Sequence, residues 1–301
     1  MIEERNFESI VDFFEYIAPW NREQSLDGFV FRGHSKEAYK LIPNALRPEN
    51  VEQLWKYVNG GNVQKDQTDF LSLQIDAEFQ LLREFYKLAD MQGLGVPTAN
   101  TFRKNLAQTF DAFGARHIEN RSIWLPEDLR EAAALAQHYG IPTRLLDWTY
   151  DPYVALYFAL TGALDSSGNL VVWALNKDHI SFLHPTVNRI DIEFITPHYS
   201  ANPNLNAQKG LFTLCPVERL SLREEMQLMM KGRAQLVDRR PLDEFILSTA
   251  KDEGATLMKK FIIASERAEE GLRFLEKMGY GTSRIFPGYD GVSKQILERN
   301  K

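Results

Sequence analysis

The sequence predicts an α+β protein: a mixed sheet with a helical section inserted after the first strand. Three observations carry that expectation. Strand-like runs sit at residues 29–32 (FVFR), and again late in the chain at 170–175 (LVVWAL), 210–214 (GLFTL) and 260–264 (KFIIA). Between the early and late runs, Ile75, Phe79, Leu82, Tyr86 and Ala89 recur at the three-and-four spacing of a helix. Strands and helices do not alternate strictly, which favours α+β over a doubly wound parallel sheet.

In chain order, Phe7, Ile10, Phe14 and Ile17 predict an amphipathic helix ending near Pro19. Asp27-Gly28 is a turn signal before the first strand, which Gly33 closes. Residues 41–47 (LIPNALR) form a short apolar segment, and 59–69 read as a polar surface loop. A second helix is expected over 101–116, with Phe102, Leu106, Thr109 and Phe113 on one face, so that 66–139 form the helical section. Beyond residue 165 come a turn, the 170–175 strand, a half-exposed strand over 189–196, a loop over 202–206 and the 210–214 strand. Ser221 and Glu224 make a capping box for a helix with Leu222, Met226 and Met229 turned inward, and Met226, Met229 and Met230 read as core residues. The 260–264 strand is followed by a helix capped by Ser265, with Ala268, Leu272, Leu275 and Met278 as its inner face, and a last helix fills 292–299.

Composition excludes several classes. Hydrophobic residues at 44% and charged residues at 25% are those of an ordinary soluble globular protein. A net charge of −6 disfavours a long nucleic-acid partner or an anionic membrane, while leaving room for a local basic pocket. The single cysteine, Cys215, rules out an internal disulfide framework and fits a reducing compartment. No CxxC or HExxH spacing supports a metal site, so none is expected. The N-terminus lacks the apolar core of a signal peptide, and no apolar run reaches the roughly 18 residues of a membrane span. A cytoplasmic location is expected.

The chain is organised around residues 136–160, AQHYGIPTRLLDWTYDPYVALYFAL. A helix ends at Gly140 and Pro142, a short buried strand follows, and Asp151-Pro152 starts a second helix with Asp as N-cap and Pro at its first position. That helix is apolar on every side and should be buried. Yet the block carries His138, Arg144, Asp147 and Thr149, which are costly to bury unless they pair with one another or with a ligand. Apolar walls with a few convergent polar groups describe a binding site.

Each candidate has a functional and a structural reading. Arg32 either clamps a diphosphate with its rigid fork or pairs with a carboxylate such as Asp147; Gly33 beside it would let a ligand approach the backbone. Arg144 has the same two readings, with the structural one favoured and Asp147 or a helix C-terminus as its partner. His138 caps a helix C-terminus or acts as acid or base. Asp147, between Leu146 and Trp148, is the best carboxylate candidate, since burial would perturb it unless it is paired. Trp148, Tyr157 and Tyr139 stack on a base or belong to the core. Gln208 satisfies backbone groups or faces a ligand.

Phe31-Arg32-Gly33, then Leu41-Pro43-Leu46-Arg47, then QHYGIPTRLLDWT with PYVALYFA, resemble the FRG domain family over about residues 27–160, with Glu78, Leu82 and Phe85 suiting its helical spacer. The resemblance implies one FRG-type domain over 1–301 with residues 161–301 completing the fold, in a bacterial or phage defence or toxin setting. More remotely, Arg32-Gly33, the Asp147-Trp148-Thr149 strand leading into ALYFA, and Gln208 before GLFTL are similar in order to the landmarks of ADP-ribosyltransferases of the Arg-Ser-Glu type. That resemblance implies a mostly antiparallel sheet core and NAD as substrate, for ADP-ribosyl transfer or NAD glycohydrolysis, with a protein target or regulator. Arg32 would hold phosphate or ribose, Trp148 or Tyr157 would pack the base, and Asp147, His138 and Gln208 would surround the glycosidic bond. Gln208 departs from the glutamate of that type: an amide lacks the charge that stabilises an oxocarbenium-like transition state. Either Asp147 or Glu193 supplies the acid, or the fold binds without transferring. Two other readings stand beside it, a non-catalytic ligand-sensing or protein-interaction module, and a hydrolase of a nucleotide or nucleic acid using Asp147 and His138.

Overall fold

The computed structural model describes residues 2–21, 25–57, 67, 69–104, 106, 123–183, 190–250 and 255–298. Its elements begin β1 (Ile2–Phe7), α1 (Ile10–Ile17), β2 (Phe29–His34), α2 (Pro48–Trp55), α3 (Leu71–Met91) and α4 (Asn100–Arg103). The middle of the chain forms β3 (Ile123–Trp124), α5 (Glu127–His138), β4 (Leu146–Thr149), α6 (Pro152–Thr161), β5 (Asn169–Asn176) and α7 (Lys177–Leu183). There follow β6 (Glu193–Ile195), α8 (Pro203–Ala207), β7 (Gly210–Leu214), β8 (Val217–Glu218), α9 (Leu222–Met230), α10 (Leu242–Thr249), β9 (Met258–Ala264), α11 (Ala268–Lys277), α12 (Thr282–Ile285) and α13 (Tyr289–Glu298). The chain divides into two compact units: Met1–Leu41, Asp147–Thr213 and Pro241–Lys301 make the first, and Ile42–Leu146 with Leu214–Arg240 the second.

The first unit is built on an open, mixed, mostly antiparallel sheet in the order β1-β9-β5-β2-β4-β7-β6. β2 runs antiparallel to β5 and β4, β5 antiparallel to β9, and β1 parallel to β9. Side chains alternate between faces of a strand. Phe29 and Phe31 of β2, Leu170, Val172 and Ala174 of β5, and Phe261 and Ile263 of β9 share one apolar cluster with α6 and α1. This face explains why α6 is apolar all round. Seven of its ten residues are buried, Asp151 caps it by accepting from the Tyr153 N–H, and Pro152 occupies its first turn. Gly33 continues the same face, and a Cβ there would lie 1.9 Å from the carbonyl oxygen of Ala155. The close approach that Gly33 permits is therefore that of the α6 backbone.

β1 was not expected; Phe7 ends this strand and the first helix begins only at Ile10, capped by Ser9. β1 is an edge strand of charged residues, whose identity comes from its partner: Glu3 and Glu4 lie opposite Lys259 and Lys260 and pair with them at 3.1 and 3.3 Å. The half-exposed strand expected over 189–196 shortens to Glu193–Ile195, with Ile190 and Ile192 buried before it. The loop expected over 202–206 is instead the helix α8, with Asn202 as N-cap accepting from the Leu205 N–H and Pro203 in the first turn. Met278 is 44% exposed rather than part of the inner face of α11.

The second unit packs α2, α3 and α5 with the short β3–β8 ribbon. α3 is the long helix its periodicity predicts, and Ala77 and Leu81 join Ala45, Leu54 and Trp55 in a cluster against which Ile141 packs. Of the helix expected over 101–116, α4 shows the first residues; 105 and 107–122 lie outside the described residues, as do 59–66 and 68 of the expected polar loop. The capping box of Ser221 and Glu224 is present on α9, but none of the helix is buried, and Met226, Met229 and Met230 are exposed rather than core.

Gly33→Ala should destabilise the protein by about 1–3 kcal/mol or more, because the clash is with backbone that has no rotamer to change. Gly95→Ala, with nothing within 4 Å of the added carbon, is the matched control and should shift the urea midpoint little.

Candidate functional site

Arg32 lies on the sheet face opposite α6. Its Nη1 donates to the carbonyl oxygen of Asp147 at 2.8 Å and to Oδ2 of the same residue at 3.3 Å, while Nε donates to His34 Nε2 at 3.0 Å. The Arg32 side chain is 17% exposed and that of Asp147 57%, so the ion pair is open to solvent on the carboxylate side. Trp173 of β5 stands directly opposite Arg32, and Lys260 of β9 directly opposite Trp173. The Trp173 indole N–H is buried and has no acceptor among the described residues. Lys260 lies 5.8 Å from the centre of that ring and pairs with Glu37 at 2.9 Å. Burial works to lower the Lys260 ammonium, but the hydrogen bonds and charges of Glu37 and Glu4 prevail and hold it above its ordinary value. Glu37 is held low by hydrogen bonds from Asn169 and Lys260.

Alternation places Thr149 on the other side and Trp148, its neighbour on β4, on the face of Arg32. Thr149 is opposite Phe31, so its side chain shares the α6 face. Thr149 Oγ1 donates to the backbone oxygen of Gln208 at 2.6 Å and accepts from the Asp151 N–H. The Gln208 amide donates to the Ile285 carbonyl at 3.2 Å. Tyr157 is buried in the α6 core with its hydroxyl 2.9 Å from Thr282 Oγ1, and Trp148 donates its indole N–H to Thr213 Oγ1. Asp147 thus meets Arg32, and Thr149 meets Gln208, but the Gln208 side chain is engaged elsewhere.

At the start of α6, Asp151 is 4% exposed. Its Oδ2 accepts from Lys209 Nζ and from the Tyr280 hydroxyl, both at 2.9 Å. Lys209 has φ +46, a left-handed conformation that an L side chain rarely adopts, so the ion pair holds a strained residue at the end of α8. The Arg284 guanidinium stacks 3.7 Å from the centre of the Tyr280 ring. Burial, then the Asp151 charge and hydrogen bond, push the Tyr280 phenol up to about 12.

His138 and Arg144 belong to the second unit. α5 ends as its Gly-Ile-Pro sequence dictates: Gly140 takes φ +85, its N–H donates to Gln137 and that of Ile141 to Ala136. His138, in the last turn, is half-buried and packs edge-on against the exposed Tyr139 at 5.1 Å. The Thr143 hydroxyl donates to the Gln137 side chain and accepts from the Leu145 N–H. The partner of Arg144 is neither Asp147 nor a helix end. It is Glu78 of α3, met in a fork with Nε to Oε2 at 2.7 Å and Nη2 to Oε1 at 2.9 Å. Trp124 and Gln74 also donate to this carboxylate, which is 2% exposed.

Sequence reasoning missed His34, Trp173 and Lys260 around Arg32, and Lys209 and Tyr280 around Asp151. A lysine inside the KKFIIA strand was the available signal for Lys260. Nothing in LVVWAL distinguishes an indole facing a guanidinium from one in the core. Among the described residues, no group of three or more His, Cys, Asp or Glu is arranged to hold a metal ion, and no helix is long and apolar enough to cross a membrane.

Arg144→Ala should cost about 3–5 kcal/mol, since it strands a buried carboxylate, and Glu78→Gln in the same background should recover part of it by removing that charge. The raised Tyr280 phenol contributes stability that is complete below its unfolded value of 10.0 and is lost as pH rises through about 12. Alkaline unfolding of Tyr280→Phe should therefore show a shallower loss of stability across that window than the unaltered protein.

The FRG domain family model matches residues 27–167. No curated protein and no solved structure matches the chain. The match begins at the turn before the Arg32 strand and closes just beyond α6, taking in both the Phe31-Arg32-Gly33 triplet and the central block, and over those residues the chain is similar to the FRG domain family.

Proposed function

We propose that the FRG domain binds a phosphate-bearing nucleotide of the NAD type, with Arg32 as the anion clamp. One observation carries this reading: Arg32 and Trp173 stand directly opposite each other across β2 and β5, and the buried indole N–H of Trp173 has no acceptor among the described residues. A buried unmet donor costs about 1–3 kcal/mol, which an acceptor-rich ligand would recover. The Asp147 carboxylate opposes an anion here, yet it is more than half exposed, and an ion pair of that kind is worth about 0–1 kcal/mol. A phosphate presenting two oxygens to the guanidinium fork can replace it.

The order of Arg32, Asp147-Trp148-Thr149 and Gln208 along the chain suggests the NAD class. Binding is favoured over transfer, because the Gln208 amide is engaged by the Ile285 carbonyl and brings no carboxylate. If glycosidic cleavage occurs, Asp147 beside Arg32 is the carboxylate placed to support it.

A thermal-shift titration with NAD and ADP-ribose should stabilise the protein by about 2.7 kcal/mol at a hundredfold excess over Kd. Arg32→Ala should abolish the response, and Asp147→Asn, which removes the competing charge, should strengthen it. Nicotinamide release measured in parallel separates cleavage, which Asp147→Asn would stop, from binding alone. An equal response from Arg32→Ala, or none from the unaltered protein, would overturn the proposal.

A further inference from the structure

Helix α9, in the second unit, presents an apolar surface that none of its own residues buries and on which no described segment is seated. Leu222, Met226, Met229 and Met230 fall at i, i+4, i+7 and i+8, one face of the helix, and are 50–87% exposed. Leu236, 62% exposed, extends the stripe. At its end lies a groove of about 540 Å³ lined by Phe70, Met229, Gly232, Arg233, Ala234 and Leu236. The helix is held in place at both ends. Glu225 pairs with Arg219, which is itself fixed to Asp76, and Ser221 and Glu224 close the N-terminus. At the C-terminus Gly232 takes φ +64, and the Arg233 N–H donates to Leu228. The exposed stripe is therefore a built surface.

Its charge is one-sided. The acidic side chains of α9 are engaged, Glu224 in the cap and Glu225 with Arg219. Arg223, Lys231 and Arg233 are exposed and form no ion pair among the described residues. Methionine side chains rearrange to fit varied apolar shapes, and a groove beside a helix suits an amphipathic helical segment. Three unmatched cations around the stripe select acidic flanks on that segment. We propose that the α9 face docks an acidic amphipathic helix of a partner protein.

The test uses the full chain and a fluorescein-labelled synthetic helix with leucines at i, i+3, i+4 and i+7 and glutamates on its flanks, read by fluorescence polarisation. The comparison peptide carries lysines in place of the glutamates. The acidic peptide should bind at least tenfold more tightly than the basic one, and more weakly as salt rises. Met226→Glu with Met229→Glu should abolish binding, and Lys231→Glu with Arg233→Glu should reverse the preference between the peptides. All four positions are exposed, and circular dichroism confirms that the variants fold. Equal binding of the two peptides, failure of the acidic peptide to bind, or binding that survives the methionine substitutions overturns the proposal. So does a self-associated protein that the methionine substitutions convert to monomer, since a second copy would then occupy the face.

Discussion

The buried carboxylate of Glu78 is the constraint on which the second unit depends. A charge removed from water is tolerated only when its lone pairs are filled, and here donors arrive from Arg144, Trp124 and Gln74. Gln74 passes the constraint on: its amide also donates to the Ala45 carbonyl, and its oxygen accepts from Arg239. One carboxylate thereby ties α3 to β3, to the segment after β2, to the residues before β4 and to the end of the second unit's last segment. Apolar contacts among Leu54, Trp55, Ala77 and Leu81 supply the burial, but they would tolerate small slips that this network does not.

In the first unit the equivalent constraint is steric. Gly33 lets β2 and α6 touch backbone to backbone, so the apolar residues of β2 must face α6 and the intervening Arg32 must face away. The FRG triplet can be understood in those terms: an aromatic for the core, an arginine for the opposite face, and a glycine for the contact. The strand partners of Arg32 then determine its surroundings, placing Trp173 across from it on β5 and the exposed Asp147 of β4 within reach of its guanidinium.

The polar residues of the central block divide by task. Thr143 and Arg144 stabilise the second unit, Thr149 and Asp151 organise the entry to α6, and Asp147 alone is exposed beside a charged partner. Four polar groups in an apolar stretch looked like one site. Two of them, Arg144 and Thr149, answer to separate local demands for hydrogen bonding, which cluster wherever a chain turns sharply through a core.

Local signals in the sequence determined the parts of the fold that local physics controls. The Gly140 cap, the Asp151-Pro152 start of α6, the Ser221 capping box, the period of α3 and the strands at 29–34, 169–176 and 210–214 all follow from backbone preference or apolar spacing within a few residues. The Asn202-Pro203 start of α8 carried the same kind of signal, although its short polar run read as loop. Tertiary structure alone decided the rest. β1 is a strand because Lys259 and Lys260 lie opposite Glu3 and Glu4, and Arg144 meets Glu78 across 66 positions. Helical spacing gave Met226 and Met229 a common face but not a covering partner, and among the described residues that face is exposed. Chain-local preferences set torsions and periodicity; which side chains meet, and which face water, depends on packing between segments distant in the chain.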